Sequence, residues 1–332
     1  MSQALLTVAG LKKYFPLRRG FLSTLLEKEE KYVRAVDDVS FEIEDGTVYG
    51  LVGESGCGKT TTGRLTLRLI EPTSGSIYYR DREITSMPDN EMKALRREMQ
   101  IIFQDPFDSI NPKMTIFDVI SEPLNIHEMQ KSESEKIEVV SKMLESVQVV
   151  PPQEYLFRYP HELSGGQRQR VAIARALVLR PKFIVADEPV SMLDVSIRTE
   201  VLNLMLDLRT DLKLTYLFIT HDLAISRYVS DHIAVMYLGK IVEHGPTEDT
   251  IQNPRHPYTQ ALLAAVPTPE VRVEEKEIPI KGETPSPISI PKGCRFNPRC
   301  PLAKEKCPSS EPELIEFSPG HFVACHRAGE EI

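Results

Sequence analysis

The sequence predicts an α/β domain built on a mostly parallel sheet, and three observations carry that expectation. Four short apolar runs, TVYGLVG (47–53), QIIFQ (100–104), KFIVADE (182–188) and TYLFITH (215–221), have the length and continuity of strands buried on both faces. Helix-patterned stretches separate them through residues 5 to about 245, the alternation expected of βαβ units. A glycine-rich turn joins the first run directly to the helix-like segment TTGRLTLRLI.

That turn, GESGCGKTT (53–61), fits G-x-x-x-x-G-K-[ST], with Gly53, Gly58, Lys59 and Thr60 at the fixed positions. Phosphate oxygens need backbone N–H groups that can be approached closely, which residues lacking Cβ permit, together with the positive end of a helix. Lys59 then reaches the β- and γ-phosphates, and Thr60 holds Mg²⁺. Glu54, Ser55, Gly56, Cys57 and Thr61 complete the loop, Cys57 as a small side chain.

Between the second and third runs lies a mainly helical insert, about 105–180. In SEKIEVVSKMLESVQVV (134–150), Ile137, Val140, Met143, Leu144 and Val147 share one helical face, a core-packing stripe. The third run, within FIVADEP, sets Asp187 and Glu188 at the C-terminal end of a buried strand, where open α/β sheets bind ligands. Asp187 can hold Mg²⁺ and Glu188 can polarise an attacking water.

Composition excludes several classes. With 332 residues the chain can bury a full core and carry an appendage, while 41% hydrophobic and 27% charged residues argue against disorder. No apolar run approaches the roughly 18 residues of a membrane-spanning helix. The opening MSQALLTVAGLKKYFPLRRG lacks the continuous apolar core and cleavage site of a signal peptide, so a cytoplasmic location is expected. A net charge of -8 makes no electrostatic case for nucleic-acid binding. No internal repeat appears.

LSGGQRQRVAIARAL (163–177) resembles the signature motif of ABC ATPases. The order of phosphate loop, Gln104, signature, Asp187-Glu188, SMLD (191–194) and His221 is similar to that family's nucleotide-binding domain across residues 5 to about 250. The resemblance implies a P-loop ABC ATPase fold, a mixed sheet core with a helical subdomain. It also implies that Ser164, Gly165, Gly166 and Gln167 act on ATP held by a second protomer. Gln104 corresponds to the glutamine that contacts Mg²⁺ and water, and His221 to the histidine that contacts the γ-phosphate and helps arrange Glu188. Asp194 lies in the D-loop, where Met192 departs from the family's smaller residue. Phe15, or Tyr14 beside it, corresponds to the aromatic that stacks on adenine.

Further stretches resemble one branch, the ATP-binding subunits of oligopeptide/dipeptide importers. These are LKKYFPL with a long insert before AVDDVSFEI, MQIIFQDPFDSINPKMTI, and the tail from HPYTQALLAAVP to GHFVACHR. The opening and the Gln104 region look most like the second, F-type subunit. The resemblance implies a sister ATPase as partner, a homodimer being the alternative, with two transmembrane permease subunits above and an extracellular solute-binding protein acting indirectly. It places the chain peripherally at the cytoplasmic face of the cell membrane. The competing function, a soluble ABC ATPase acting on nucleic acid or ribosomes, lacks its usual second ATPase domain or coiled-coil insert.

Prolines and charges thicken from 267 onward, which divides the chain into 1–266, the nucleotide-binding domain, and 267–332, a small irregular cysteine-rich domain. Cys294, Cys300, Cys307 and Cys325 are spaced C-x5-C-x6-C-x17-C, with Gly293, Pro298, Pro301 and Pro308 supplying turns. Four thiolates suit either a [4Fe-4S] cluster or a structural Zn²⁺. The close C-x2-C pairs of zinc ribbons are absent, and the branch resemblance implies iron-sulfur. His321 and His326 are expected to be surface or packing residues.

Overall fold

The computed structural model describes residues 4–17, 31–129, 132–265, 280, 282–328 and 330. The insert after LKKYFPL and the composition boundary at 267 lie outside the described residues. The chain runs through β1 (Ala4–Pro16), β2 (Tyr32–Glu44), β3 (Val48–Val52), α1 (Lys59–Thr66), β4 (Ser74–Tyr79), β5 (Arg82–Glu83), α2 (Asp89–Leu95) and β6 (Met99–Ile102). Then come α3 (Pro106–Ser109), α4 (Ile116–Ile126), α5 (Glu133–Ser146), α6 (Gly165–Leu177), β7 (Phe183–Asp187), α7 (Val195–Leu212) and β8 (Thr215–Thr220). The remainder is α8 (Leu223–Val229), β9 (His232–Tyr237), β10 (Lys240–Pro246), α9 (Thr247–Gln252), α10 (Pro257–Ala264), β11 (Ile315–Ser318) and β12 (His321–Val323).

Two compact units divide these elements. Among the described residues, the first comprises those within 44–47 and 86–219, and the second those within 4–43, 48–85 and 220–330. In the first unit β6, β7 and β8 form a parallel ladder, Ile101 opposite Val185 and Ala186 opposite Phe218. Every residue of β7 and β8 is buried, which is why both read as unbroken apolar runs. Helices α4, α5 and α6 pack on one another, each started by a capping box: Thr115 with Asp118, Ser132 with Glu135, Ser164 with Gln167. Of the α5 stripe, Val140, Leu144 and Val147 are fully buried, and Ile137 and Met143 half-buried.

In the second unit β1, β2, β4 and β5 make a sheet in the order β2-β1-β4-β5, with Leu6 opposite Tyr79 in an antiparallel pair. A second ladder is mixed: β3 pairs with β9 in parallel, β10 returns antiparallel to β9, and β12 then β11 add on antiparallel. The tail, expected to be irregular, therefore contributes two strands. They are short, and all four residues of β11 are exposed, so no period of buried residues announces them. The nearby core gathers Val235, Tyr237, Leu238, Tyr258, Phe296, Cys294 and Cys307. Phe296 meets Tyr237 edge-on, ring centroids 5.3 Å apart.

Candidate functional site

In the second unit the phosphate loop leaves β3 and enters α1 at Lys59. Gly58 sits at φ 111°, and a Cβ there would lie 2.1 Å from the Ala35 carbonyl oxygen. At Gly53 a Cβ would meet the Met236 carbonyl oxygen at 2.2 Å. The fold itself therefore requires these glycines, quite apart from any phosphate. Lys59 is buried, its ammonium donating to the carbonyls of Gly53 (2.7 Å) and Glu54 (3.0 Å). Ser55 and Gly56 are exposed and Thr60 and Thr61 half-buried. Cys57 is buried, and burial raises its thiol pKa against the lowering influence of Lys59.

Tyr14 and Phe15 end differently. The Tyr14 hydroxyl donates to the Asp37 carboxylate, and burial followed by that bond pushes its pKa up to about 12. The Phe15 ring is 38% exposed, with the Lys13 ammonium 5.1 Å from its centroid. His221 follows β8 directly, exposed, beside Asp222, which caps α8 by accepting from the N–H groups of Ala224 and Ile225.

The other candidate residues lie in the first unit. Strand β6 stops at Ile102, two residues before Gln104, so Gln104 stands on the following turn rather than ending the strand. From there its Nε2 donates to Glu188 Oε2 at 3.0 Å. Glu188 has φ 46°, a left-handed conformation that costs a residue with a Cβ about 1 kcal/mol or more. Its N–H donates to the Ile219 carbonyl at 2.9 Å, and its carbonyl accepts from the Ser191 hydroxyl at 3.0 Å. Asp187, preceding it, is 3% exposed.

Ser164 caps α6: its hydroxyl accepts from the Gln167 N–H (3.3 Å), and Gln167 Oε1 accepts from the Ser164 N–H (3.0 Å). Gly165 and Gly166 form the first turn, at the positive end of the helix dipole. Asp194 precedes α7 without a side-chain capping bond, flanked by exposed Met192 and Val195.

Cys294 and Cys307 are buried and Cys300 and Cys325 half-buried, all as free thiols. The Cys294 N–H donates to the Cys307 carbonyl at 2.7 Å. Burial, and secondarily the neighbouring cysteines, push the Cys294 pKa up to about 11 and that of Cys325 up to about 12. Backbone N–H groups face the sulfurs: Phe296 and Asn297 at Cys294, Leu302 at Cys300, Arg327 at Cys325. Among the described residues, no group of three or more His, Cys, Asp or Glu side chains converges closely enough to hold a metal ion. The N–H groups beside three of the sulfurs favour thiolate, against the burial that raises the pKa of each. His321 and His326 are both engaged elsewhere, His321 with Glu243 at 2.8 Å and His326 donating to the Ser310 carbonyl at 2.9 Å.

Sequence reasoning missed residues that the tail sends to the nucleotide motifs. Arg299 pairs with Glu54 of the phosphate loop, and Arg295 pairs with Asp37, the partner of Tyr14. The available signal was two arginines set between cysteines, CRFNPRC, in a chain of net negative charge.

Comparison with known proteins agrees with this layout. The family described as "ABC transporter" matches residues 36–191, and that described as "Oligopeptide/dipeptide transporter, C-terminal region" matches 242–307. The oligopeptide transport ATP-binding protein AppF of Bacillus subtilis is 48% identical over 98% of this chain and 97% of its own. The dipeptide transport ATP-binding protein DppF of Haemophilus influenzae is 48% identical over 97% of this chain and 96% of its own. Among solved structures, cbiO1 of Clostridium perfringens, part of the ABC transporter complex cbiONQ, superposes with a TM-score of 0.62 at 25% identity, over 75% of this chain and 91% of that one. The ATP-binding cassette MJ0796, in a dimeric structure bound to ADP and Pi, gives 0.61 at 26% identity over 73% and 98%. With a phosphate loop, a signature helix and the C-terminal region all on one chain, and relatives alike over nearly its whole length, the chain belongs to the ABC transporter family as an ATP-binding protein of its oligopeptide/dipeptide branch.

Proposed function

We propose that this ABC ATPase drives import of oligopeptides or dipeptides through two transmembrane permease subunits, working at the cytoplasmic face of the cell membrane. The observation that carries the reading is the presence of both the ATPase segment and the peptide-transporter C-terminal region on one chain that is 48% identical to AppF over 98% of its length. The same reading divides the chain into a nucleotide-binding domain, 1–266, and a four-cysteine domain, 267–332.

Lys59, whose ammonium keeps a third N–H beyond those it gives to the Gly53 and Glu54 carbonyls, reaches the β- and γ-phosphate oxygens, and the loop N–H groups hold the rest of the triphosphate. Thr60, Asp187 and Gln104 would hold Mg²⁺, which would supply positive charge against the phosphates. Glu188 orients the attacking water and takes its proton, with Gln104 fixing the carboxylate beforehand. His221 contacts the γ-phosphate. Phe15 stacks on adenine, a choice supported by its exposed ring and by the engagement of the Tyr14 hydroxyl with Asp37. Ser164, Gly165, Gly166 and Gln167 serve ATP held on the partner ATPase, and Asp194 with exposed Met192 meets that partner. The partner is a distinct sister subunit, this chain taking the F-type role.

A groove of about 250 Å³ in the first unit supports permease docking. It is lined by Phe103, Pro123, exposed Ile126, Glu122 and Arg175, and Phe103 directly precedes Gln104, so a permease helix seated there would press on the segment that carries Gln104. Cys294, Cys300, Cys307 and Cys325 would hold a [4Fe-4S] cluster, whose chemistry here is to cross-link the tail. The four-thiol donor set and the N–H groups at sulfur support it.

Co-expression with two multi-spanning permeases and a sister ATPase tests the transport reading. Copurification and ATP-dependent peptide uptake into vesicles are expected, whereas stable association with ribosomes or DNA in their place overturns it. Anaerobic purification should give roughly four iron and four sulfide per chain; zinc without iron would replace the cluster by a zinc site.

A further inference from the structure

Glu54, the second residue of the phosphate loop, has every polar group engaged. Its carbonyl accepts from the Lys59 ammonium at 3.0 Å, and its N–H donates to the Tyr258 hydroxyl at 2.9 Å. Its carboxylate accepts from Arg299 Nη1 on both oxygens, at 3.1 and 2.9 Å, and Oε2 also accepts from the Thr284 hydroxyl at 2.6 Å. Three of these partners come from residues more than 200 positions downstream. Two of the three are also well fixed. Tyr258 is fully buried, and the Arg299 side chain is only 10% exposed, its guanidinium 5.9 and 6.0 Å from the Tyr237 and Phe296 rings.

We infer that Arg299 is a positioning residue for ATP binding: through Glu54 it fixes the peptide whose carbonyl aims the Lys59 ammonium. Charged hydrogen bonds to one carboxylate restrict the orientation of the residue that bears it, and a buried guanidinium is the stronger partner of the two that reach this one. Removing Arg299 leaves Glu54 free to turn, carries the Lys59 acceptor with it, and leaves an uncompensated carboxylate beside the phosphates. Both consequences weaken ATP binding, while Glu188 and Gln104, in the other unit, keep their own contact. The C-terminal segment thereby sets the affinity of the phosphate loop.

The inference rests on residues 53–61 being the phosphate loop, and the experiment separates the two claims. ATP affinity by fluorescent-nucleotide titration, and the KM and kcat of ATP hydrolysis, are measured on the full chain for Arg299→Gln, Arg299→Lys, Glu54→Gln, the double Glu54→Gln/Arg299→Gln, and Lys59→Ala. Arg299→Gln is expected to raise KM and Kd roughly tenfold with kcat within about twofold, with partial rescue in Arg299→Lys. The double variant should be no worse than Arg299→Gln alone. An unchanged KM in a folded Arg299→Gln protein, or additive effects in the double variant, overturns the inference. If Arg299→Gln does not fold, Thr284→Val addresses the same carboxylate from the surface, and its KM must rise for the inference to stand. Normal ATP binding by Lys59→Ala would instead remove the loop assignment itself.

Discussion

Gln104 donates its side-chain amide to the Glu188 carboxylate over 3.0 Å, which restrains Glu188 before any nucleotide arrives. Glu188→Gln is therefore expected to keep ATP affinity and ATP-dependent dimerisation while turnover falls about 100-fold or more, the loss of a positioned base. Gln104→Ala should lower kcat less and leave ATP affinity nearly unchanged. Near-normal turnover in Glu188→Gln, measured by phosphate release, would take the base role away from it.

The adenine side separates two neighbours. Phe15→Ala should weaken ATP by about 1 kcal/mol, roughly fivefold, through lost ring stacking. Tyr14→Phe keeps its ring and loses the bond to Asp37, so it should cost stability and little affinity. Nucleotide titration beside thermal unfolding distinguishes the two, and the opposite pattern would make Tyr14 the stacking residue.

Glu243 is fully buried and is met by three donors or partners: the N–H of Arg255 at 2.7 Å, the N–H of His256 at 2.9 Å and the His321 ring at 2.8 Å. Glu243→Ala strands these groups in the core and should destabilise by about 2–4 kcal/mol. A denaturant-midpoint shift well below that would mean water takes the vacated place.

Acid should act through two histidines. Burial holds the pKa of His256 down to about 4, opposed by Glu243, and that of His244 down to about 4, helped by His321 and His232. Both are neutral in the folded protein, and above the unfolded value near 6.5 their contribution is fully present. As pH falls from there toward 4 the unfolded chain binds protons that the folded chain refuses, so stability drops by up to about 1.4 kcal/mol per pH unit for each. Unfolding midpoints across pH 7 to 4 measure this. His256→Gln should flatten part of the slope.

Local spacing made the nucleotide motifs legible. Lys59, Asp187 and the Ser164 helix start each depend on fewer than ten consecutive residues, and β7 and β8 betray themselves because every position is buried. Other features depend on partners far away. Leu6 pairs with Tyr79, and Arg299 reaches Glu54 across 245 positions, and neither leaves a periodic trace. Gln104 was readable as a residue, but its place on a turn was not, because Phe103 continues the apolar run that the strand has already left. The cysteines were countable, whereas the N–H groups facing their sulfurs are a matter of backbone path.

The pairing of β12 with β10 gives the tail a protective duty. Glu243 and His244 of β10 face Val323 and Phe322, so the outer backbone groups of a largely buried strand are already occupied. What the ladder finally presents is β11, four exposed residues long, with the Phe317 ring lying under the Arg255 guanidinium. A short, partly charged rim gives another chain little to template on. A chain cut before Ile315 would instead offer β10 itself as a sticky seam, and should self-associate even where its ATPase motifs are whole.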